Sequence, residues 1–166
     1  MPKHRSRTIP MKLCGVGAAT NTAFRNGALD WSTQTIVNLT MDKLDNYPPF
    51  SDLNTNCIYQ TKAYRTLRLD RQQNFGTAYV MNSNNIIIDS DIFVWNSEFE
   101  KLELFNFSSN SIQQHLQITA THELGHILGL DHQFENEHNS IMDYGQDEYQ
   151  GLSDYDKEAV NHLYRQ

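Results

Sequence analysis

The chain has little that would tie it to a membrane, to nucleic acid or to a heavily cross-linked scaffold. No apolar run approaches the length of a transmembrane helix. Basic residues are scarce, with 13 Lys and Arg against 20 Asp and Glu and a net charge of −7. That balance argues against nucleic acid or an anionic membrane surface as partner. Only two cysteines occur, Cys14 and Cys57. They could pair in an oxidising compartment or stay as buried thiols, and the sequence leaves both open. Lys3, His4, Arg5 and Arg7 make a basic start, but no apolar stretch follows, so no secretory signal is recognisable. Internal repeats and low-complexity segments are also lacking. What remains is a 166-residue chain suited to one domain with a sizeable core, with residues 1–6 expected as a flexible arm.

One stretch carries the chemistry. Residues 122–132 read His-Glu-Leu-Gly-His-Ile-Leu-Gly-Leu-Asp-His. On a helix, His122 and His126 are i and i+4, so both imidazoles leave one face a turn apart and can reach a single Zn²⁺. Glu123 lies too close in sequence to the first ligand to be an easy third one. Its carboxylate can instead take a proton from a metal-bound water. Gly129 can adopt the left-handed conformation that ends a helix. The chain then turns, and His132 can return as third ligand. A fourth position stays open for water, the mark of a catalytic rather than a structural site.

This stretch resembles the signature of the metzincin zinc endopeptidases. Ser140-Ile141-Met142-Asp143-Tyr144 resembles their Met-turn, whose methionine lies beneath the zinc-binding histidines. The resemblance implies an α+β fold, a twisted mixed sheet of about five strands with three main helices. It implies one catalytic Zn²⁺ on His122, His126 and His132, with Glu123 as general base. Tyr144 stands where astacins and serralysins carry a tyrosine that reaches the zinc or the oxyanion, whereas matrixins usually carry proline there. The alternative for Tyr144 is a wall of the substrate pocket. The short gap from His132 to Met142 and Leu152-Ser153 before the last helix are similar to matrixins, and Asp156 matches an acidic residue that fastens the Met-turn. Tyr155 replaces a second acidic residue, and Gln133 fits no subfamily hallmark. Matrixins also hold a structural zinc and calcium, but residues 58–85 contain no histidine, so that zinc is not expected. Ca²⁺ stays open and unsupported. Cys14-Gly15-Val16 faintly resembles the inhibitory cysteine segment of matrixin propeptides. Lys12, Leu13, Gly17 and Ala18 depart from it, which favours a structural role.

The pass along the chain predicts a strand at Thr8–Leu13, with Pro10 suggesting an edge or irregular position. Thr20 or Asn21 would cap a helix to about Thr33, whose stripe of Ala23, Phe24, Ala28 and Trp31 is weakened by Gly27. Strands follow at Thr35–Met41 and Cys57–Tyr64, with the turn-rich loop Tyr47–Asp52 between them. Residues 65–75 read as irregular. Gly76–Met81 and Ile86–Trp95 form a hairpin across an Asn-rich turn at Asn82–Asn85. By order, Gly76, Thr77, Ala78, Tyr79 and Val80 match the metzincin edge strand on which an extended peptide lies. The longest helix is expected from about Ile112 to Leu130, with Leu116, Ala120, Leu124, Ile127 and Leu128 in its core stripe. Ser153 caps the last helix in a capping box with Asp156.

The remaining histidines carry less. His115 lies seven residues before His122, about 10 Å along the helix and too far to share its metal. It reads as a surface or cleft-edge residue, His138 as an exposed loop residue, and His4 and His162 have no visible partner. The expected function is zinc-dependent endopeptidase acting on protein or peptide substrate, as a monomer. Asp143–Gly151 would line the pocket for the side chain after the cleaved bond. The alternative is a zinc-bearing protein-binding module, or a latent protease homologue, with little turnover. The family resemblance implies an extracellular, secreted setting, and the lack of a signal peptide leaves a cytoplasmic one open.

Overall fold

The computed structural model describes residues 1–48, 55–61, 75–133 and 139–166. Alternation at period two builds the first strand, Thr8–Cys14 (β1), with Ile9, Met11 and Leu13 buried and Thr8 and Pro10 exposed. Helix Ala18–Gln34 (α1) and strand Asn38–Lys43 (β2) follow. Then come Cys57–Thr61 (β3), Gly76–Ser83 (β4) and Ile86–Trp95 (β5). Helices Asn96–Leu104 (α2), Ser109–Ile127 (α3) and Asp154–Arg165 (α4) complete the order. The strands form one mixed sheet, β2-β1-β3-β5-β4. All pairings are parallel except β4–β5, which places an antiparallel strand at the edge.

Helices α1 and α3 share the main core with the sheet. Phe24, Ala28 and Trp31 of α1 join Leu116, Ala120 and Leu124 of α3 above Met11, Leu13, Ile58 and Ile92. Gly27, which weakens α1 on propensity, lets α3 approach: a Cβ there would lie 2.9 Å from Thr121 Oγ1. Buried Trp31 donates its indole N–H to the Thr121 carbonyl at 3.0 Å, so the α1–α3 contact carries a polar lock as well as apolar area. Cys14 and Cys57 form a disulfide joining β1 to β3. Cys14 is therefore committed to the sheet and offers no thiol for an inhibitory role. No helix among the described residues is long and apolar enough to cross a membrane.

Several boundaries differ from the sequence reading, each for a physical reason. Helix α1 begins at Ala18 with Gly17 as N-cap and no side-chain cap, so neither Thr20 nor Asn21 serves. Gly17 N–H is instead bonded by Gln60 of β3 at 2.7 Å. Thr35 is the C-cap of α1, and the strand starts only at Asn38. The hairpin turn is confined to Asn84 and Asn85, both at positive φ (52° and 60°), as a two-residue turn demands. Helix α3 starts earlier, capped by Ser108, whose hydroxyl accepts from Ser111 N–H. Beyond the three main helices expected, the short α2 is a fourth; its only buried residue is Glu98, so no apolar stripe announces it. Residues 62–64 of the third predicted strand, most of the Tyr47–Asp52 and 65–75 loops, and His138 lie outside the described residues.

Within the first six residues, expected as a flexible arm, Lys3 and His4 are anchored. Lys3 bridges to Ile86, its N–H donating to Asn85 O at 3.1 Å and its carbonyl accepting from Ile87 at 2.9 Å. Lys3 Nζ donates to the carbonyls of Leu163 and Gln166 at 2.9 and 2.7 Å. His4 donates to Ile127 O at 3.1 Å, and burial holds its pKa below the ordinary value. Two basic side chains thus satisfy carbonyls at the C-terminal ends of α3 and α4, where bare acceptors and the helix dipole favour donors.

Helix α4 opens with the expected capping box: Ser153 accepts from Asp156 N–H, and Asp156 accepts from Ser153 N–H at 2.9 Å. The same carboxylate also accepts from Ile141 N–H at 3.0 Å and from the Ser140 hydroxyl. A buried Asp156 therefore fastens the segment at 140–142 to α4. Asp156→Ala removes the cap and orphans these buried donors. The expected cost is about 2–4 kcal/mol of stability, read as a lower urea midpoint at unchanged m-value.

Candidate active site

The last turn of α3 shows why the sequence needs glycine at 129. Gly129 N–H bonds His126 O at 2.9 Å and Leu130 N–H bonds Gly125 O at 3.0 Å. This is the full Schellman arrangement, with Gly129 as the left-handed residue at φ +96°. The turn does more than end the helix. It brings the Leu130 carbonyl within 2.8 Å of His126 Nδ1, and the chain leaves in the direction that returns His132.

The three histidines meet. His126 Nε2 lies 3.1 Å from His122 Nε2 and 3.0 Å from His132 Nε2. Four-coordinate zinc with bonds of 2.0–2.1 Å would space its nitrogens by about 3.3 Å, so both of these pairs suit one ion with a small expansion, and the three ligand atoms all lie within 4.8 Å of one another. Second partners fix the ring orientations: His122 Nδ1–H donates to Ile141 O at 2.8 Å, and His126 Nδ1–H to Leu130 O. Burial, then the neighbouring His126, holds the His122 pKa down to about 3; burial lowers those of His126 and His132 as well. All three are thus neutral at pH 7, the form that ligates. They are the metal-holding group found among the described residues.

Around them lies a cleft of about 780 Å³. Glu123 sits in it, and burial pushes its carboxyl up to about 8, opposed by a hydrogen bond from Ala78 N–H. That bond reveals the orientation of β4. Phe75 O pairs with Trp95 of the neighbouring strand, so backbone groups at odd positions face β5 and those at Gly76, Ala78 and Val80 face the cleft. Gly76, Thr77, Ala78 and Val80 line the cleft. Tyr79 does not; its ring packs edge-on to Phe93, 5.6 Å between centroids. Tyr144, 47 % exposed, brings its hydroxyl to 2.8 Å from His132 Nε2, and its ring lies 4.5 Å from the imidazole. Burial and the Glu123 charge raise its pKa.

Met142 is buried under the site, and the residue that makes room for it escaped the sequence reading. A Cβ on Gly125, between the two helical histidines, would run into Met142 Sδ and lie 3.3 Å from Trp31. A second missed group is Tyr149. Its hydroxyl donates to Asp30 and accepts from Thr121, and its N–H donates to Gln114 at 2.9 Å. Burial, then the Asp30 hydrogen bond, raises its pKa. Tyr149 thereby ties the loop whose residues 143–147 line the cleft to α1 and α3. His115 lies at the cleft edge, as expected, stacked on Phe75.

Gly125→Ala gives a sharp test of the Met142 contact. In an ordinary helix interior the change stabilises by about 1 kcal/mol. Here overpacking costs about 1–3 kcal/mol, so the variant should melt below the parent and lose zinc to a chelator faster. A higher melting temperature would show that the sulfur does not press on the helix.

The comparisons with known proteins agree with this geometry. The matrixin family model matches residues 18–165. No curated protein sequence matches the chain. Among solved structures, myroilysin aligns with a TM-score of 0.53 at 14% identity, covering 99% of this chain and 96% of that one. High choriolytic enzyme 1, a hatching enzyme zinc-protease from Oryzias latipes (Medaka fish), aligns at 0.51 and 11% identity, covering 98% and 92%. At such identities the likeness is one of fold. The family match instead runs from α1 through the three convergent histidines to the end of α4, and by it the chain belongs to the matrixins, as a zinc metalloendopeptidase of the metzincin type.

Proposed function

We propose that the chain hydrolyses peptide bonds within extended protein segments, with Glu123 as general base and His122, His126 and His132 holding one Zn²⁺. The observation that carries this reading is the convergence of three neutral imidazole nitrogens beside a buried carboxylate in an open cleft. Bound there, zinc would supply Lewis acidity toward a water and the scissile carbonyl. Burial alone would keep Glu123 protonated at pH 7; the charge of an ion on the three imidazoles would favour its carboxylate, which takes the proton of the attacking water and passes it to the leaving amine. Its hydrogen bond from Ala78 N–H holds the carboxylate against the edge strand. The substrate pairs with cleft-facing backbone groups of β4, those of Gly76 and Val80 and the carbonyl of Ala78, whose N–H is taken by Glu123. The segment from Asp143 to Gly151, tethered by Tyr149, walls the pocket for the side chain after the cleaved bond.

Tyr144 is assigned to the reaction rather than to the wall. Its hydroxyl lies against His132 Nε2, where a phenol can donate a hydrogen bond to the oxyanion as charge develops. The Cys14–Cys57 disulfide suits an oxidising compartment, which supports an extracellular setting.

Three measurements test this. The zinc-loaded protein should cleave an unfolded protein substrate and stop when zinc is chelated. Glu123→Ala should cut kcat/KM by about 10²–10⁴-fold while retaining zinc; a variant as fast as the parent removes the base assignment. Tyr144→Phe should lower kcat about a hundredfold with little change in KM. A rise in KM alone would return Tyr144 to the pocket wall. A zinc-loaded parent that cleaves nothing would favour a binding module.

A further inference from the structure

Aromatic rings extend the cleft beyond the metal centre. Phe75, just before β4, stacks on His115 of α3 with centroids 5.5 Å apart and planes at 21°. Phe99 of α2 packs on Phe75 at 4.9 Å, and Phe107 sits edge-on to His115 at 6.3 Å. The chain between α2 and α3 continues the patch outward, with Leu104 80 % exposed, Phe105 75 % and Phe107 45 %. A monomer surface seldom leaves adjacent large apolar residues this open without a binding role. Phe75 and His115 also line the same cleft as Glu123 and the three histidines, so the patch is continuous with the proposed substrate path.

We infer that Phe75, His115 and Phe107 form a subsite for an aromatic or large aliphatic side chain on the third substrate residue after the cleaved bond. The inference rests on the endopeptidase reading above and adds a specificity to it. Seven helical residues separate His115 from His122, about 10 Å at 1.5 Å per residue. An extended peptide covers that distance in about three residues at 3.2–3.4 Å each. The direction follows from strand pairing. An antiparallel ladder is the more stable way to extend the edge at β4. A peptide so paired runs from Val80 toward Gly76, and its C-terminal half arrives at Phe75. The ring arrangement, one stacked pair with a third ring edge-on, offers both an apolar floor and the edge-to-face geometry that aromatic side chains favour.

A peptide panel that varies only the third residue after the cleaved bond tests this, with cleavage sites mapped by mass spectrometry. Peptides with Phe, Tyr or Leu there should show kcat/KM about tenfold above those with Gly or Asp. Phe107→Ala should collapse that ratio toward one, and Phe107→Trp should keep it; melting curves check that each variant folds. A flat panel with cleavage intact, a ratio untouched by Phe107→Ala, or a preference on the N-terminal side of the bond overturns the subsite and leaves the endopeptidase reading standing. A flat panel with parent binding to phosphatidylcholine vesicles, lost in Leu104→Ser/Phe105→Ser, would assign the patch to a lipid surface. A parent that cleaves neither peptide nor unfolded protein overturns both readings.

Discussion

Everything at the site depends on presenting the Nε2 atoms of His122 and His132 each about 3 Å from that of His126, while the Nδ1 atoms of His122 and His126 are satisfied elsewhere. Neutral rings tolerate that spacing and protonated ones would not, because like charges so close and so buried repel strongly. The Nδ1–H bonds of His122 and His126 to the carbonyls of Ile141 and Leu130 turn the rings the right way. Each carbonyl is fixed in turn. Leu130 belongs to the Schellman turn that Gly129 permits, and Ile141 is held through its own N–H by Asp156 of α4. The metal-holding geometry is therefore written into one helix end, one tight turn and one helix cap.

The rest of the fold supplies rigidity around that geometry. Trp31 bonds the backbone of α3 one residue before His122 and packs close to Gly125, beside the Met142 sulfur. Tyr149 joins the cleft-lining loop to both core helices through Asp30 and Gln114. Strand β4, at the edge of the sheet, brings Ala78 to Glu123 and keeps alternate backbone groups toward the cleft. A rigid frame of this kind holds the Glu123 carboxyl and the three imidazoles in fixed relative positions.

What was legible in the sequence is what is locally encoded. His122 and His126 at i, i+4, the helix-ending Gly129 and the Ser153–Asp156 capping box each lie within a few residues of their partner, so spacing alone reveals them. The hairpin followed from alternation and its Asn-rich turn, whereas the edge position of Gly76–Met81 came from the metzincin resemblance. What was missed depends on distant partners. The start of α1 is supported by Gln60, 43 positions away, and Tyr149 finds Asp30 at 119 positions. Lys3 looked like part of a solvated tail because its acceptors lie at the far end of the chain, in α4. Helix α2 has no apolar stripe to declare it. Gly125 drew no reading of its own, since nothing in the sequence says that a sulfur comes to rest against it.

The most direct test of the account is zinc K-edge X-ray absorption on the metal-loaded protein. The account predicts three imidazole nitrogens and one or two oxygens at about 2.0–2.1 Å, with no sulfur in the shell. A sulfur scatterer near about 2.3 Å, or fewer than three imidazoles, would contradict it. Cysteine would then be a ligand, or the convergence of His122, His126 and His132 would not be the metal centre.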